Sequence, residues 1–98
     1  MIRIIYKWKV QKSGWEKFKT AWAKATTKIR ASTAGARGSM MLHNREKPSE
    51  FVTIARWDSF ESWQRFWNDP LKNEMQAMHE AGERVSVDAF DEIDDFTV

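Results

Sequence analysis

Ninety-eight residues, 42% of them hydrophobic and 31% charged, describe one globular domain spanning residues 1–98. The absence of cysteine excludes disulfides, thiolate chemistry and cysteine-ligated metals, and no apolar run is long enough for a membrane-spanning helix. Residues 1–48 carry twelve Lys and Arg against two Glu, whereas residues 49–98 carry four against twelve acidic residues. We expect a cytoplasmic protein with no membrane partner and no signal peptide.

The N-terminal quarter predicts a strand followed by a helix. In residues 2–10, apolar side chains recur at every second position, which is the period of a strand with one apolar face. These positions are Ile2, Ile4, Tyr6, Trp8 and Val10. Ser13 and Glu16 have the spacing of a capping box, which predicts a helix start at Ser13. The helix, of roughly 15 residues, carries an apolar stripe at Trp15, Phe18, Trp22, Ala25 and Ile29.

The middle of the chain predicts a hairpin. Residues 36–44 read as a second strand, and residues 44–49 form a polar turn containing Pro48. Residues 50–57 predict a third strand, whose segment 51–55 is apolar on both faces. A strand of that kind belongs in the interior of a sheet.

The last part predicts a helix and a final strand. Asp58 or Ser59 caps the helix, Asp69-Pro70 predicts a kink or a restart, and Gly82 ends it. The apolar stripe of this helix runs through Phe60, Trp63, Phe66, Trp67, Leu71, Met75 and Met78. Residues 83–96 alternate apolar and polar side chains before turning acidic, so we predict a strand there.

The resulting order, β-α-β-β-α-β, predicts an α+β ferredoxin-like sandwich: a four-stranded antiparallel sheet with two helices on one face. The doubly apolar third strand leaves the other face partly apolar, which predicts a homodimer packed sheet to sheet. The basic first half and the acidic second half could then pair across the dimer axis, or within one chain where Lys7 or Lys9 meets Asp88 or Asp91 on a neighbouring strand. The charge asymmetry therefore favours self-complementarity over nucleic-acid binding, since the aromatic residues of the first helix also lie on its buried stripe.

Two segments carry a resemblance to a known family. Residues 4–10 read Ile-Ile-Tyr-Lys-Trp-Lys-Val, and residues 51–59 lead into Trp63, Phe66-Trp67 and Asp69-Pro70. The whole chain resembles the antibiotic biosynthesis monooxygenase superfamily of dimeric α+β barrel proteins. This resemblance implies a homodimer with a hydrophobic cavity between the helices and the sheet. Members include cofactor-independent monooxygenases of polycyclic phenols and haem-degrading enzymes.

The haem-degrading members of that superfamily carry an Asn on the first strand, a Trp on the second helix and a His ten residues later. Those positions fall on Lys7, Phe66 and Gln76, with Trp67 and His79 displaced by one and three residues. The departures disfavour haem, and we predict neither a cofactor nor a metal.

The resemblance implies oxygen-dependent oxidation of a small aromatic or quinol-type substrate. Because such an anion can reduce O₂ itself, the pocket needs only to stabilise it and exclude water. Candidate catalytic residues are Trp67, His79 and Tyr6; candidate substrate-binding residues are Trp8, Trp63, Asn68 and Arg56, with Arg37 as an alternative to Arg56. Plainer explanations are core packing for Trp63 and a helix-dipole interaction for His79. The alternative function is a non-catalytic dimer that binds a small hydrophobic ligand or acts as an accessory protein.

Overall fold

A computed structural model describes residues 1–97 and confirms the predicted ferredoxin-like architecture. Its elements are β1 (Ile2–Lys9), α1 (Trp15–Ser32), β2 (Ala36–His43), β3 (Glu50–Trp57), α2 (Phe60–Trp67), α3 (Gln76–Ala81) and β4 (Glu83–Asp91). The strands form one antiparallel sheet in the order β2-β3-β1-β4, so β1 and β3 are central as predicted. Within residues 1–97, no helix has the length and apolarity needed to cross a bilayer.

The core lies between the helices and one face of the sheet. The period-two side chains of β1 all point into it, and Ile4, Trp8 and the adjacent Val10 are fully buried. Across the β1–β3 ladder, Trp8 pairs with Phe51 and Tyr6 with Thr53, so these side chains share the helix-covered face. From α1, the core receives the predicted stripe, with Phe18 and Ala25 buried. Burial of this aromatic face is the main apolar contribution to stability.

The two helix starts differ in how their free N–H groups are satisfied. At α2, the Ser59 hydroxyl accepts a hydrogen bond from the Ser62 N–H at 3.1 Å, which confirms the predicted cap. At α1, the predicted capping box at Ser13 and Glu16 is wrong: residues 12–14 form a 3₁₀ turn, Gly14 is the N-cap, and no side chain caps it. The chain passes from β1 to α1 through this 3₁₀ turn, which stands where the capping box was predicted.

The second helical region is interrupted, as Asp69-Pro70 predicts. Helix α2 ends at Trp67 and α3 begins at Gln76. The intervening segment takes Leu71 off the predicted stripe and leaves it 87% exposed, so its predicted burial is wrong. The chain returns to the core at Met75, which is buried together with Met78 of α3.

Strand β4 contains a β-bulge and is shorter than the sequence predicts. It ends at Asp91, whereas the prediction continued to residue 96. Trp8 pairs with Arg84 and Lys7 with Ser86, so Val85 is an extra residue opposite this step of β1. The bulge places Arg84 on the helix-covered face and leaves Val85 exposed.

The opposite face of the sheet is uncovered and mixed in character. We call it the open face. Ile5, Val52 and Ile54 occupy its centre half-buried, and Met40, Leu42 and Phe90 are about half exposed. The side-chain alternation of the central strands therefore leaves a continuous apolar area without a helix above it.

One end of the open face carries an ion-pair cluster. The Glu92 carboxylate accepts two hydrogen bonds from Arg56, at 2.9 and 3.1 Å, and one from Arg3 at 3.1 Å. Arg3 also pairs with Asp95 at 3.2 Å. These contacts lower the pKa of Glu92 and hold the chain after β4 against the sheet.

The basic first half and the acidic C-terminal segment thus meet within one chain, although not through the expected residues. Among residues 1–97, neither Lys7 nor Lys9 forms an ion pair. The within-chain pairing predicted for them with Asp88 or Asp91 is therefore wrong. The pairing across two chains stays a prediction.

Candidate functional site

A small cavity lies between α1, the α2–α3 region and the sheet. Its volume is about 50 Å³, and its wall is mostly apolar, including Tyr6, Trp22, Ala25, Phe66, Met75 and Met78. This space accommodates about three or four water molecules. An aromatic ligand therefore requires lining side chains to move, and the unbranched Met75 and Met78 are the most adaptable of them.

Tyr6 supplies a polar group to this cavity. Its phenolic oxygen accepts a hydrogen bond from the indole N–H of Trp63 at 3.1 Å. Burial raises the pKa of Tyr6 to about 12, outweighing the opposing effects of the Trp63 hydrogen bond and the Arg84 charge. The hydroxyl is therefore protonated at neutral pH, and within residues 1–97 no side chain or carbonyl accepts its proton. Tyr6 can donate a hydrogen bond or a proton to a ligand.

Trp8 packs beside Tyr6 in the core, with 6.2 Å between the two ring centroids. Its indole N–H donates to the Thr53 hydroxyl at 3.0 Å, and both residues are buried. The N–H groups of Trp8 and Trp63 are thus both bonded to the protein. These two predicted substrate-binding residues are buried, neither is among the residues that line the cavity, and neither has a free donor for a ligand.

A second polar group lies where α1 faces β2. The Trp22 indole N–H donates to the Ser39 hydroxyl at 2.7 Å, and the Thr26 hydroxyl lies 3.2 Å from the same oxygen. All three residues line the cavity. This wall therefore fixes the position of Trp22 between the cavity and solvent.

Trp67, at the end of α2, extends the aromatic cluster towards β4. It stacks on Trp63 at a centroid distance of 5.4 Å and lies 6.0 Å from Tyr6. Lys72 Nζ and Arg84 Cζ each lie 4.7 Å from the centroid of the Trp67 ring. Trp67 therefore contacts both Tyr6, which lines the cavity, and two positively charged side chains.

His79 of α3 packs on the other side of this region, with its ring centroid 5.4 Å from that of Trp8. Partial desolvation, followed by the charges of Arg84 and Lys72, lowers the pKa of His79. Its imidazole is therefore largely neutral at pH 7 and able to accept a proton. In the described part of the chain, no three His, Asp and Glu side chains are grouped so that they could hold a metal ion.

The structure brings together five of the seven predicted site residues: Tyr6, Trp8, Trp63, Trp67 and His79. The other two lie outside this aromatic cluster. Arg56 lines the cavity but extends its guanidinium to Glu92, and Asn68 is exposed at the end of α2. Arg37, the alternative anion partner, pairs with Asp58 at 2.6 Å instead.

Three residues of this region were missed by sequence reasoning. Thr53 looked like an ordinary member of an apolar strand, and only its pairing with Tyr6 shows that it faces Trp8. Lys72 lies in the irregular segment after Pro70, where neither a helix period nor a strand period predicts which way a side chain points. Arg84 was predicted to face solvent because the alternation of side chains assumes a regular strand, and the sequence does not reveal the bulge in β4.

Comparison with known proteins identifies the family and the fold. A family model described as "Antibiotic biosynthesis monooxygenase" matches residues 1–81. No curated protein sequence matches the chain.

Among solved structures, SnoaB from Streptomyces nogalater, a cofactor-independent oxygenase, is similar with a TM-score of 0.78 and 17% identity over 97% of this chain and 95% of its own. A candidate antibiotic biosynthesis monooxygenase from Deinococcus radiodurans is similar with a TM-score of 0.77 and 10% identity, covering 100% and 98%. Rv0793 from Mycobacterium tuberculosis is similar with a TM-score of 0.73 and 15% identity, covering 98% of each chain. At these identities the likeness establishes the fold, and the match of the family model over residues 1–81 establishes that the chain belongs to the antibiotic biosynthesis monooxygenase family.

Proposed function

We propose that this protein oxidises a small hydroxylated aromatic compound with molecular oxygen, without a metal, flavin or haem. The observation that carries the proposal is the protonated hydroxyl of Tyr6 at an apolar cavity, in the same aromatic cluster as the neutral imidazole of His79. Tyr6 provides a hydrogen-bond donor at the cavity wall, and His79, which packs on Trp8, provides a proton acceptor in the same cluster. The family membership and the described activity of SnoaB support the same reaction class.

In the proposed reaction, His79 takes a proton from the substrate and leaves an electron-rich aromatic anion. The anion passes one electron to O₂, and the resulting radical pair joins to form a C–O bond. The hydroperoxide then loses water as its O–O bond breaks, which converts a CH₂ group and O₂ into a carbonyl and H₂O. Tyr6 hydrogen-bonds to the developing oxyanion, where a donor in a low-dielectric site is most effective.

The experiment measures oxygen uptake with anthrone and a panel of hydroquinones. We expect wild-type protein to consume oxygen above the spontaneous rate, and Tyr6→Phe and His79→Gln to reduce the increase by about 10²-fold. Uptake at the spontaneous rate by wild type and both variants, with the compounds still binding, would instead indicate the non-catalytic ligand-binding function.

Cavity variants test where the reaction takes place. Ala25 is buried and lines the cavity, so Ala25→Leu fills the space that a substrate ring would enter. We expect this variant to lose oxygen uptake while staying folded. The matched control is Ala31→Leu, since Ala31 is exposed on the same helix. Equal loss in both variants would show that the cavity is not the reaction site.

We also propose that the functional unit is a homodimer packed through the open face. The apolar centre of this face, formed by Ile5, Val52 and Ile54, has no covering helix within the chain. A second copy would bury it with an isologous contact, in which each side presents the same surface. The dimerisation typical of the family supports this assembly.

A further inference from the structure

Three basic side chains from separate parts of the chain gather beside Trp67. Lys72 comes from the segment between α2 and α3, His79 from α3, and Arg84 from β4. The Lys72 ammonium and the Arg84 guanidinium both lie 4.7 Å from the centroid of the same indole ring. The lowered pKa of His79 shows that the charges of Arg84 and Lys72 extend to it.

These basic groups have no protein counter-ion. Among residues 1–97, neither Lys72 nor Arg84 forms an ion pair or a side-chain hydrogen bond, whereas Arg3, Arg37 and Arg56 all bind carboxylates. Glu80 and Glu83 border the same shallow surface as Arg84 and His79, but neither forms an ion pair there. Lys72 and Arg84 thus place two unpaired positive charges next to the aromatic cluster that includes Tyr6.

Stacking on an aromatic ring does not use the hydrogen-bonding capacity of these groups. A cation–π contact involves the ring face, while the five guanidinium N–H donors point outward around its edge. Asp69 and Glu74 border a surface with Lys72, and Glu80 and Glu83 border one with Arg84, but none of them forms an ion pair with these cations. Arg84 and Lys72 therefore keep donors free for an added anion.

We propose that Lys72 and Arg84 bind the carboxylate of an aromatic acid, so that the substrate is a hydroxylated aromatic carboxylate. This inference rests on the function proposed above, because it names the class of compound that the same site oxidises. A carboxylate is ionised at neutral pH, and its two oxygens match the forked donors of a guanidinium. Trp67, 6.0 Å from Tyr6, lies between this anchor and the cavity.

The test is a binding measurement that needs no turnover. Under argon, 1,4-dihydroxy-2-naphthoate, its methyl ester and 1,4-dihydroxynaphthalene are titrated into the full chain, and tryptophan fluorescence reports binding. We expect wild-type protein to bind the acid about ten-fold more tightly than the ester or the parent quinol. Arg84→Gln and Lys72→Gln should each reduce that preference by about three-fold to ten-fold without weakening ester binding.

The matched control is Lys28→Gln, because Lys28 is an exposed lysine of α1 without an aromatic or acidic partner. It should keep the full preference for the acid. Equal affinities for acid and ester in wild type, no binding of the acid, or an equal effect of all three variants would overturn the inference.

Oxygen uptake separates this inference from the proposed function. A preference for the acid that depends on Arg84, with oxygen uptake at the spontaneous rate, would support the carboxylate site and reject oxidation. Faster oxidation of 1,4-dihydroxynaphthalene, with no preference for the acid, would support oxidation and reject the carboxylate site.

Discussion

The indole N–H of Trp63 donates a 3.1 Å hydrogen bond to the phenolic oxygen of Tyr6, joining α2 to β1 inside the core. This contact satisfies a buried donor, and it leaves the tyrosine proton free for a ligand. A single hydrogen bond thus has a structural role and also sets the direction in which Tyr6 can act chemically.

The titration of Tyr6 can be measured directly, because the chain contains one tyrosine. Absorbance near 295 nm should show tyrosinate forming with a pKa of about 12 in the folded protein. The folded-state pKa is above the value of about 10 for free tyrosine. Burial of the neutral hydroxyl therefore makes its full contribution to the stability of the folded protein below pH 10, and this contribution is lost as the pH rises towards 12. Ionisation near pH 10 in folded protein would contradict the burial of the hydroxyl.

The Thr53 hydroxyl stabilises the fold by accepting the Trp8 N–H in a buried site. Thr53→Val keeps the shape but leaves that donor unsatisfied, which should reduce the free energy of unfolding by about 1–3 kcal/mol. Thr53→Ser keeps the hydroxyl and should reduce the free energy of unfolding by a smaller amount. Urea denaturation measures both changes, and an equal loss in the two variants would show that the hydrogen bond contributes little.

His79 should give the oxygen-uptake reaction an acidic limb. Its pKa is lowered, so the neutral form that accepts a proton persists below pH 6.5 and disappears on further acidification. The pH profile of kcat/KM should therefore fall below pH 6.5 in wild type and lose that limb in His79→Gln. His43→Gln is the matched control, because His43 is exposed on β2 and bonds to the Pro48 carbonyl. If kcat/KM of His79→Gln still falls below pH 6.5 as in wild type, a residue other than His79 accepts the proton.

The open face should determine the oligomeric state. Sedimentation of wild-type protein at micromolar concentration should show twice the 11.6 kDa chain mass. Ile54→Lys places a charge at the centre of this face and should give monomers that stay folded. Leu71→Lys introduces the same charge at an exposed site after α2 and should leave the dimer intact. A wild-type monomer would refute the assembly.

Local patterns predicted most of the fold because the side chains that produce them also form the core. The period-two alternation of β1 and the stripe of α1 correspond to Trp8 and Phe18, which are both fully buried. The Ser59 cap was readable because its partner is three residues away. The sequence therefore predicts a residue's environment when that environment depends on near neighbours in the chain or on a regular period.

The predictions failed where the backbone departs from a regular period. The segment after Pro70 removes Leu71 from the helix stripe, and the 3₁₀ turn replaces the capping box at Ser13. Arg56, expected as an anion partner, lines the cavity from β3, but its guanidinium extends on the open face to Glu92. Charge alone cannot show which side of a sheet a residue occupies.

The bulge at Val85 also affects how relatives of this chain are compared. If β4 paired regularly along its present length, Val85 would lie opposite Trp8 and Arg84 would turn towards the open face. A relative with arginine at the aligned position but a regular β4 would therefore lack positive charge beside its counterpart of Trp67. Within this family, a β-bulge in an edge strand can therefore turn a basic side chain towards or away from the site while every site residue is retained. Specificity can thus evolve through strand register as well as through substitution.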